Sequence, residues 1–227
     1  ENNFGDPSSL YSFGQEAKNA VDDSREKIAN VINCRPSEVV FTSGGTESDN
    51  LAILGSANAM KHLGNHIITS SIEHHAVLHA CEELENRGFE VDFLPVNKYG
   101  LISPSDLFAK IKSNTILVSI MMANNETGTV QDIPALIESV RAKQTSNEKM
   151  IIFHSDAVQC LGKMEINMND LDIDLLSLSA HKINGPKGVG ALFVRRGTPI
   201  KPIIFGGGQE KQLRSGTENV ASIVGFS

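Results

Sequence analysis

Short apolar segments alternate with longer segments of helical periodicity, and this alternation constrains the fold more than any other feature of the sequence. Several of the short segments are apolar throughout, which is typical of strands covered on both faces. Seven candidate strands lie at 38–42, 66–69, 89–93, 115–120, 150–154, 175–178 and 191–194. Candidate helices lie at 15–33, 47–62 and 76–87, with a shorter helix that begins at Ser103-Pro104. The order predicts an α/β fold with three α/β/α layers and a mainly parallel seven-stranded sheet.

Glycines and loops refine this prediction. Gly64 and Gly88 follow two of the candidate helices and are expected to form their C-terminal caps. The loop between the last two candidate strands is too short for a crossover helix, so we expect those strands to be antiparallel. The polar residues 145–149 are expected to form a surface loop.

Composition argues against several classes of function. The 227-residue chain has a net charge of −7, so a basic surface for nucleic acid is not expected. It lacks an apolar run long enough to span a bilayer, so we expect no membrane segment. Its three cysteines, Cys34, Cys81 and Cys160, lack the spacing of zinc ligands or of a disulfide scaffold, which predicts no metal site and a reducing compartment. We expect a cytoplasmic protein, with mitochondria as the alternative, because the chain starts at Glu1 and a native start with any targeting peptide would be missing.

A lysine follows the sixth candidate strand, in the stretch SAHKINGPKG. Lysine is rare at the end of a buried strand unless it has a function. Lys182, beside Ser179, His181 and the glycines of the loop, is typical of a Schiff-base lysine next to an anion pocket. The alternative is a basic surface loop between two strands.

An aspartate follows the fifth candidate strand, in the stretch HSDAVQ. Ligands of open α/β sheets bind at the carboxyl ends of the strands, and Asp156 is expected to lie there. Its negative charge would keep a pyridine nitrogen protonated, and Gln159 would donate a hydrogen bond to a phenolic oxygen. The alternative is an aspartate that caps the next helix.

Polar residues also follow three other candidate strands. Gly45 and Thr46 lie in a Gly-Gly turn before a helix, a place that suits a phosphate group. His74 precedes another helix, where it would exchange protons with a substrate. Asn125 lies in a loop rich in turn-forming residues. Each loop has an ordinary structural alternative, but a parallel sheet brings all of them to the same edge.

These stretches together resemble the cysteine desulfurase and selenocysteine lyase family, within the class V aminotransferase-like enzymes that use pyridoxal phosphate. The most specific stretches are FTSGGTESDNLAI, EHHAV, SIMMANNETG, HSDAVQ, SAHKINGPKGVGAL and GGGQEKQLRSGTENV. The resemblance covers essentially the whole chain. It implies a homodimer with the PLP-dependent transferase fold type I, in which residues 1–227 are the large, cofactor-binding domain.

The resemblance also implies a role for each site residue. Lys182 would form the Schiff base and, with His74, act as a catalytic residue. His74 would stack on the cofactor ring, Asp156 would pair with the pyridine nitrogen, and Gln159 would contact the phenolic oxygen. The other implied cofactor contacts are Asn125 beside the ring and substrate, Gly45, Thr46, Ser179 and His181 at the phosphate, and Thr217 at the phosphate of the partner subunit.

The implied reaction converts L-cysteine to L-alanine and transfers sulfur to an enzyme cysteine, for iron–sulfur cluster assembly or other sulfur trafficking through an acceptor protein. In this family the nucleophilic cysteine and the arginine for the substrate carboxylate lie beyond the counterpart of Ser227. We therefore expect an N-terminal segment and a C-terminal small domain to be missing from these residues. Three alternatives stay open: a selenocysteine lyase, an aminotransferase, and a catalytically incomplete fragment that binds cofactor weakly or not at all.

Overall fold

The computed structural model describes residues 5–147 and 150–227. Its strands are β1 (Val39–Thr42), β2 (His66–Ser70), β3 (Glu90–Leu94), β4 (Thr115–Ser119), β5 (Ile152–Asp156), β6 (Leu175–Ser179) and β7 (Gly190–Val194). Its α-helices are α1 (Ser12–Val31), α2 (Gly45–Met60), α3 (His75–Asn86), α4 (Pro104–Lys110), α5 (Ile133–Asn147) and α6 (Val220–Phe226). Three short 3₁₀ helices lie at Pro36–Glu38, Ala180–Ile183 and Glu210–Gln212.

The strands form one seven-stranded sheet in the order β1-β7-β6-β5-β4-β2-β3. Strand β7 is antiparallel to both of its neighbours, whereas the pairs from β6 to β3 are parallel. Every residue of β2, β4, β5 and β6 is buried. This burial explains their apolar runs, because helices cover a parallel sheet on both faces. The predicted mainly parallel sheet and the antiparallel final pair are confirmed.

Two hydrophobic clusters lie on opposite faces of the sheet. Helices α2 and α3 cover one face through residues that include Leu51 and Leu84. Helices α1, α4, α5 and α6 contribute to the other cluster, with Leu107 of α4 among its fully buried members. The predicted three-layer architecture is therefore confirmed. In the described part of the chain, no helix is both long and apolar enough to cross a membrane.

The structure corrects two local predictions and adds one helix that was not predicted. Gly88 follows α3 with φ 85°, as predicted for a C-terminal cap, but Gly64 is not a cap. Helix α2 ends at Met60, whose carbonyl oxygen accepts from the amides of residues 63 and 64, so a further turn separates Gly64 from the helix. Helix α5 had no predicted counterpart, and it continues to Asn147 through most of the predicted loop 145–149. The rest of that predicted loop, 148–149, lies outside the described residues.

Candidate active site

A cavity of about 540 Å³ lies beside the N-terminus of α2, at the carboxyl ends of β5 and β6. This is the sheet edge at which ligands of open α/β folds bind. The predicted site residues on its wall are Gly45, Thr46, His74, Asn125, Asp156, Gln159, Ser179, His181 and Lys182. Thr217 does not line the cavity and is exposed. The structure thus brings together every predicted site residue except Thr217.

The turn between β1 and α2 forms one end of the cavity. Within this turn, Thr42 Oγ1 and Ser48 Oγ lie 2.8 Å apart and form a hydrogen bond. Gly44 has φ 145°, a conformation that strongly favours glycine. Because the first N–H groups of a helix lack an intrahelical acceptor, this end of α2 offers backbone donors to an anion. Ser179 Oγ and His181 Nδ1, 2.8 Å apart, face the same space from the end of β6.

Gly45 is packed so tightly that one added methyl group is expected to disturb this turn. A Cβ at Gly45 would lie 2.7 Å from Val158 Cγ2 and 3.7 Å from the next nearest atom. We expect Gly45→Ala to lower stability by about 1–3 kcal/mol, the usual cost of overpacking, and to weaken phosphate binding. Thermal unfolding with and without phosphate measures both effects.

The matched control for this prediction removes the obstructing methyl group. Val158→Ala, combined with Gly45→Ala in the same chain, is expected to recover much of the lost stability and phosphate response. The two losses would then be non-additive, as expected of residues in contact. A double variant that is as impaired as the sum of its single variants would contradict this account.

Asp156 ends β5 and is 6% exposed. Its Oδ1 accepts a hydrogen bond from the Val158 amide at 2.9 Å, so it also caps the turn that follows the strand. Burial raises the pKa of Asp156, whereas the Val158 amide and the nearby His74 and Lys182 lower it. A carboxylate in this position stabilises a cation that enters the cavity.

Lys182 lies in the 3₁₀ helix Ala180–Ile183, directly after β6. The strand is buried throughout, as expected, and the Lys182 side chain is exposed on the cavity wall. Asn184, with φ 64°, ends this 3₁₀ helix. The charge of Lys182 lowers the pKa of Asp156, so the ammonium group is near enough to act on the same ligand.

His74 is the N-cap of α3, and its Nδ1 accepts a hydrogen bond from the Ala76 amide at 3.1 Å. Because Nδ1 acts as an acceptor, Nε2 carries the hydrogen of the neutral ring. The cap therefore fixes the tautomer as well as the position of the ring. It leaves Nε2 as the nitrogen that can donate to a ligand in the cavity.

The two asparagines of the SIMMANNETG stretch have different roles. Asn124 is buried, and its Oδ1 accepts from the Glu126 and Thr127 amides at 3.0 and 2.9 Å. Its Nδ2 donates to the Ile72 carbonyl at 3.0 Å, which ties this loop to the segment before His74. Asn125 is exposed on the cavity wall. The sequence pattern did not separate the structural amide from the one that faces the ligand.

Other residues of the cavity region were not predicted. Asp49, in α2, lines the cavity with only 1% of its surface exposed. Its signal in the sequence is a carboxylate on the same side of the helix as the buried Ala52 and Ile53, three and four residues further on. Gly190 lies at the start of β7, where an added Cβ would be 2.5 Å from the Leu178 oxygen and 2.7 Å from Gly44 Cα. This strand therefore needs glycine in order to approach the turn.

The cysteines of this chain are poor nucleophiles. All three are free thiols. Burial raises the pKa of each thiol to about 12, and the charge of Asp156 contributes to the rise for Cys160. A thiol with such a pKa stays protonated at neutral pH and reacts slowly.

No group of three or more potential metal ligands occurs among the residues that the structure describes.

A family model described as aminotransferase class-V matches residues 1–227. The cysteine desulfurase IscS of Methanosarcina thermophila is 53% identical over 224 residues, which are 99% of this chain and 54% of the relative. The cysteine desulfurase IscS of Dictyoglomus turgidum is 52% identical over 223 residues, 98% of this chain and 55% of the relative. The chain thus spans about half the length of the curated relatives it matches.

Solved structures show the same fold. A NifS-like protein has a TM-score of 0.95 and 42% identity, covering 100% of this chain and 61% of its own. A structure described as SspA in complex with cysteine has a TM-score of 0.92 and 43% identity, covering 100% of this chain and 64% of its own. The family match extends over the whole sequence, and these structures reproduce the sheet and its surrounding helices. The chain belongs to the aminotransferase class-V family.

Proposed function

We propose that the full protein is a pyridoxal phosphate-dependent cysteine desulfurase, with residues 1–227 as its large, cofactor-binding domain. The observation that carries this proposal is the convergence of Lys182, Asp156 and the N-terminus of α2 on one cavity. The curated relatives are named cysteine desulfurases, and one structural neighbour is described in complex with cysteine. These names support the choice of L-cysteine as substrate and L-alanine as product.

The end of the cavity at α2 fits a phosphate group. The glycine turn keeps the N-terminal amides of α2 free of covering side chains, because neither Gly44 nor Gly45 carries a Cβ. Thr46 and Ser179 add hydroxyl groups, and His181 adds a ring nitrogen. Amides and hydroxyls at a helix N-terminus are the donors that phosphate oxygens require.

The opposite end fits a substituted pyridine ring. Asp156 supplies the buried carboxylate that keeps a ring nitrogen protonated. Gln159 and Asn125 present amides to the same space, and His74 lies on its wall. The cavity volume of about 540 Å³ lies within the usual range for cofactor pockets.

Bound pyridoxal phosphate supplies an electron sink for reactions at the substrate carbon atoms. The residues of this chain bind it and move protons around it. Lys182 would hold the cofactor through its amine and would act as the base that takes the proton from the substrate Cα. His74, with Nδ1 engaged by the Ala76 amide, exchanges protons through Nε2. Asp156 would hold the negative charge that pairs with the protonated ring nitrogen.

The sulfur acceptor lies outside residues 1–227 in this proposal. Cys160 is the cysteine nearest the site, but it is 1% exposed and its pKa is raised to about 12. We expect Cys160→Ala in the full chain to retain its rate of sulfide release within about twofold, since no competent thiolate is removed. Residues 1–227 alone are expected to release no sulfide from L-cysteine in the presence of a reductant. A full chain that binds cofactor normally but loses turnover with Cys160→Ala would contradict this assignment.

The proposed functional unit is a homodimer. Thr217 is exposed and lies outside the cavity of its own chain, which leaves it free to reach the phosphate of the partner subunit. Arg214 supports its segment by a 2.8 Å ion pair with Glu47 in the first turn of α2. Isologous dimers are also the commonest oligomers. Sedimentation of the full chain tests the proposal, which a fully active monomer would refute.

The desulfurase activity is tested by incubating the full chain with cofactor, L-cysteine and a reductant. Alanine and sulfide are expected in equal amounts. Release of selenide from selenocysteine without release of sulfide from cysteine would identify a selenocysteine lyase instead. Amino transfer to a keto acid would identify an aminotransferase.

The free cysteines support a reducing compartment, and we place the protein in the cytoplasm. There it would pass sulfur to an acceptor protein for iron–sulfur cluster assembly or other sulfur trafficking.

A further inference from the structure

Two buried carboxyl groups, Asp49 and Asp156, line the inner wall of the cavity, and a third, Glu73, lies close enough to interact electrostatically with both. Asp49 in α2 is 1% exposed, and Glu73 and Asp156 are each 6% exposed. Burial, with a smaller contribution from the charge of Asp156, raises the pKa of Asp49 well above its ordinary value and that of Glu73 to about 8. Interacting carboxylates that are this well shielded from water cannot all be ionised at neutral pH.

Positive charge reaches this cluster from one side. Among the described residues, the ion pairs formed by lysine and arginine involve none of the three carboxyl groups. The ammonium group of Lys182 acts on Asp156, whose pKa it lowers against the effect of burial. Lys182 therefore favours the ionised form of Asp156, which is the member of the cluster at the cofactor end of the cavity.

The remaining titratable neighbours contribute no charge. His154 Nε2 lies 3.6 Å from Asp49 Oδ1, but complete burial lowers the pKa of His154 to about 3, so its ring is neutral. The ring instead joins the Ser119 and Ser177 hydroxyls of the flanking strands, at 2.8 and 3.0 Å. The thiols Cys81 and Cys160 both have pKa values raised to about 12 by burial and stay neutral.

The hydrogen bonds show where protons would be held. Glu73 Oε1 accepts from Ser70 Oγ at 2.5 Å and from the Met121 amide at 2.9 Å, whereas Glu73 Oε2 is buried without a partner among the described residues. In the same part of the chain Asp49 Oδ1 is also buried without a hydrogen-bond partner, although the nearby Ser177 hydroxyl lowers the pKa of the Asp49 carboxyl group. Burying a charged carboxylate oxygen without a hydrogen-bond partner costs free energy. A bound proton lowers this cost because it removes the charge.

We propose that Asp49 and Glu73 are positioning residues that remain protonated, so that the one negative charge of this cluster is held on Asp156. They act through Asp156 and, in this proposal, do not touch the reacting atoms. In this arrangement a single carboxylate faces the ring nitrogen of the cofactor. That consequence rests on the proposed function. The protonation of the two side chains can be measured without any turnover.

Infrared spectroscopy of the full chain loaded with cofactor at pH 7 tests the proposal directly. A carboxylic acid has a carbonyl stretch that is well separated from the bands of a carboxylate. Asp49→Asn and Glu73→Gln replace each carboxyl group with a neutral amide of the same shape. We expect each variant to lack part of the carboxylic acid band of the unchanged protein, and Asp156→Asn to keep that band. Glu73 is expected to lose its proton as the pH rises through about 8, which the Glu73→Gln variant would not show.

Glu16→Gln, on the exposed surface of α1, is the matched control and should leave the acid band unchanged. Absence of the band in the unchanged protein at pH 7, or its loss in Asp156→Asn alone, would overturn the proposal. If one of the two amide variants fails to fold, the other still tests its own residue. Should the full chain not bind cofactor, the same comparison of Asp49→Asn and Glu73→Gln in the cofactor-free protein decides the proton assignment independently of the desulfurase proposal.

Discussion

Replacing Lys182 with alanine is expected to abolish covalent capture of the cofactor and to reduce sulfide release by about 10²–10⁴-fold, the usual contribution of a positioned acid–base group. The side chain is exposed on the cavity wall, and its charge lowers the pKa of Asp156, the proposed partner of the ring nitrogen. Alanine removes the amine but leaves the 3₁₀ helix and the end of β6 in place. Treatment of the loaded full chain with borohydride, followed by peptide mapping, measures the covalent link.

Lys187 provides the matched control for this experiment. It lines the same cavity and lies on the same loop, so it has comparable access to the cofactor. Lys187→Ala is expected to keep the borohydride label and most of the turnover. A label found on Lys187, or a folded and loaded protein with no label at all, would contradict the assignment of Lys182.

The sequence predicted the fold well because the decisive signals are local. Seven predicted runs fit seven observed strands within two residues, since most of the runs have the apolar composition of a strand buried on both faces, and the largely exposed β3 shows a mixed composition. The strand β5 shows the limit of this reasoning. Its predicted range, 150–154, ends before Asp156, although the strand continues to that residue and includes the polar His154 and Ser155. His154 and Ser155 form their hydrogen bonds within the sheet, so their polar side chains do not mark the end of the strand.

The residues that the sequence did not predict are those whose importance depends on contacts distant in sequence. Gly190 is needed because β7 passes close to Gly44, which no local pattern reveals. Asn124 and Asn125 are neighbours in a loop of turn-forming residues, and the fold alone decides which faces the cavity. Asp49 belongs to a helix whose first turn was predicted as a phosphate site, but its proximity to Asp156 requires knowledge of how α2 packs on the sheet.

Replacing Asp156 with asparagine is expected to impair catalysis and, in the cofactor-free protein, to increase stability. Asparagine keeps an oxygen to accept the Val158 amide, which now lies 2.9 Å from Oδ1. It cannot hold the negative charge that stabilises a protonated ring nitrogen. We expect sulfide release by the full chain to fall by about 10²–10³-fold, comparable to the loss of a preorganised electrostatic group. Asp49→Asn, which removes no charge in our proposal, should cost far less.

The effect of Asp156→Asn on stability is expected to grow as the pH rises, because Asp156 is buried. Because burial raises the pKa of Asp156 above its ordinary value of 3.8, the folded cofactor-free protein binds this proton more tightly than the unfolded chain. The stability that the protonated carboxyl group contributes is fully present below that ordinary pKa and is lost as the pH rises through the folded value. Asparagine does not ionise and escapes this loss. Thermal unfolding should therefore show similar midpoints for the two proteins near pH 4 and a higher midpoint for Asp156→Asn near pH 8. A lower midpoint for Asp156→Asn at pH 8 would contradict this prediction, because it would show that the carboxylate stabilises the empty site.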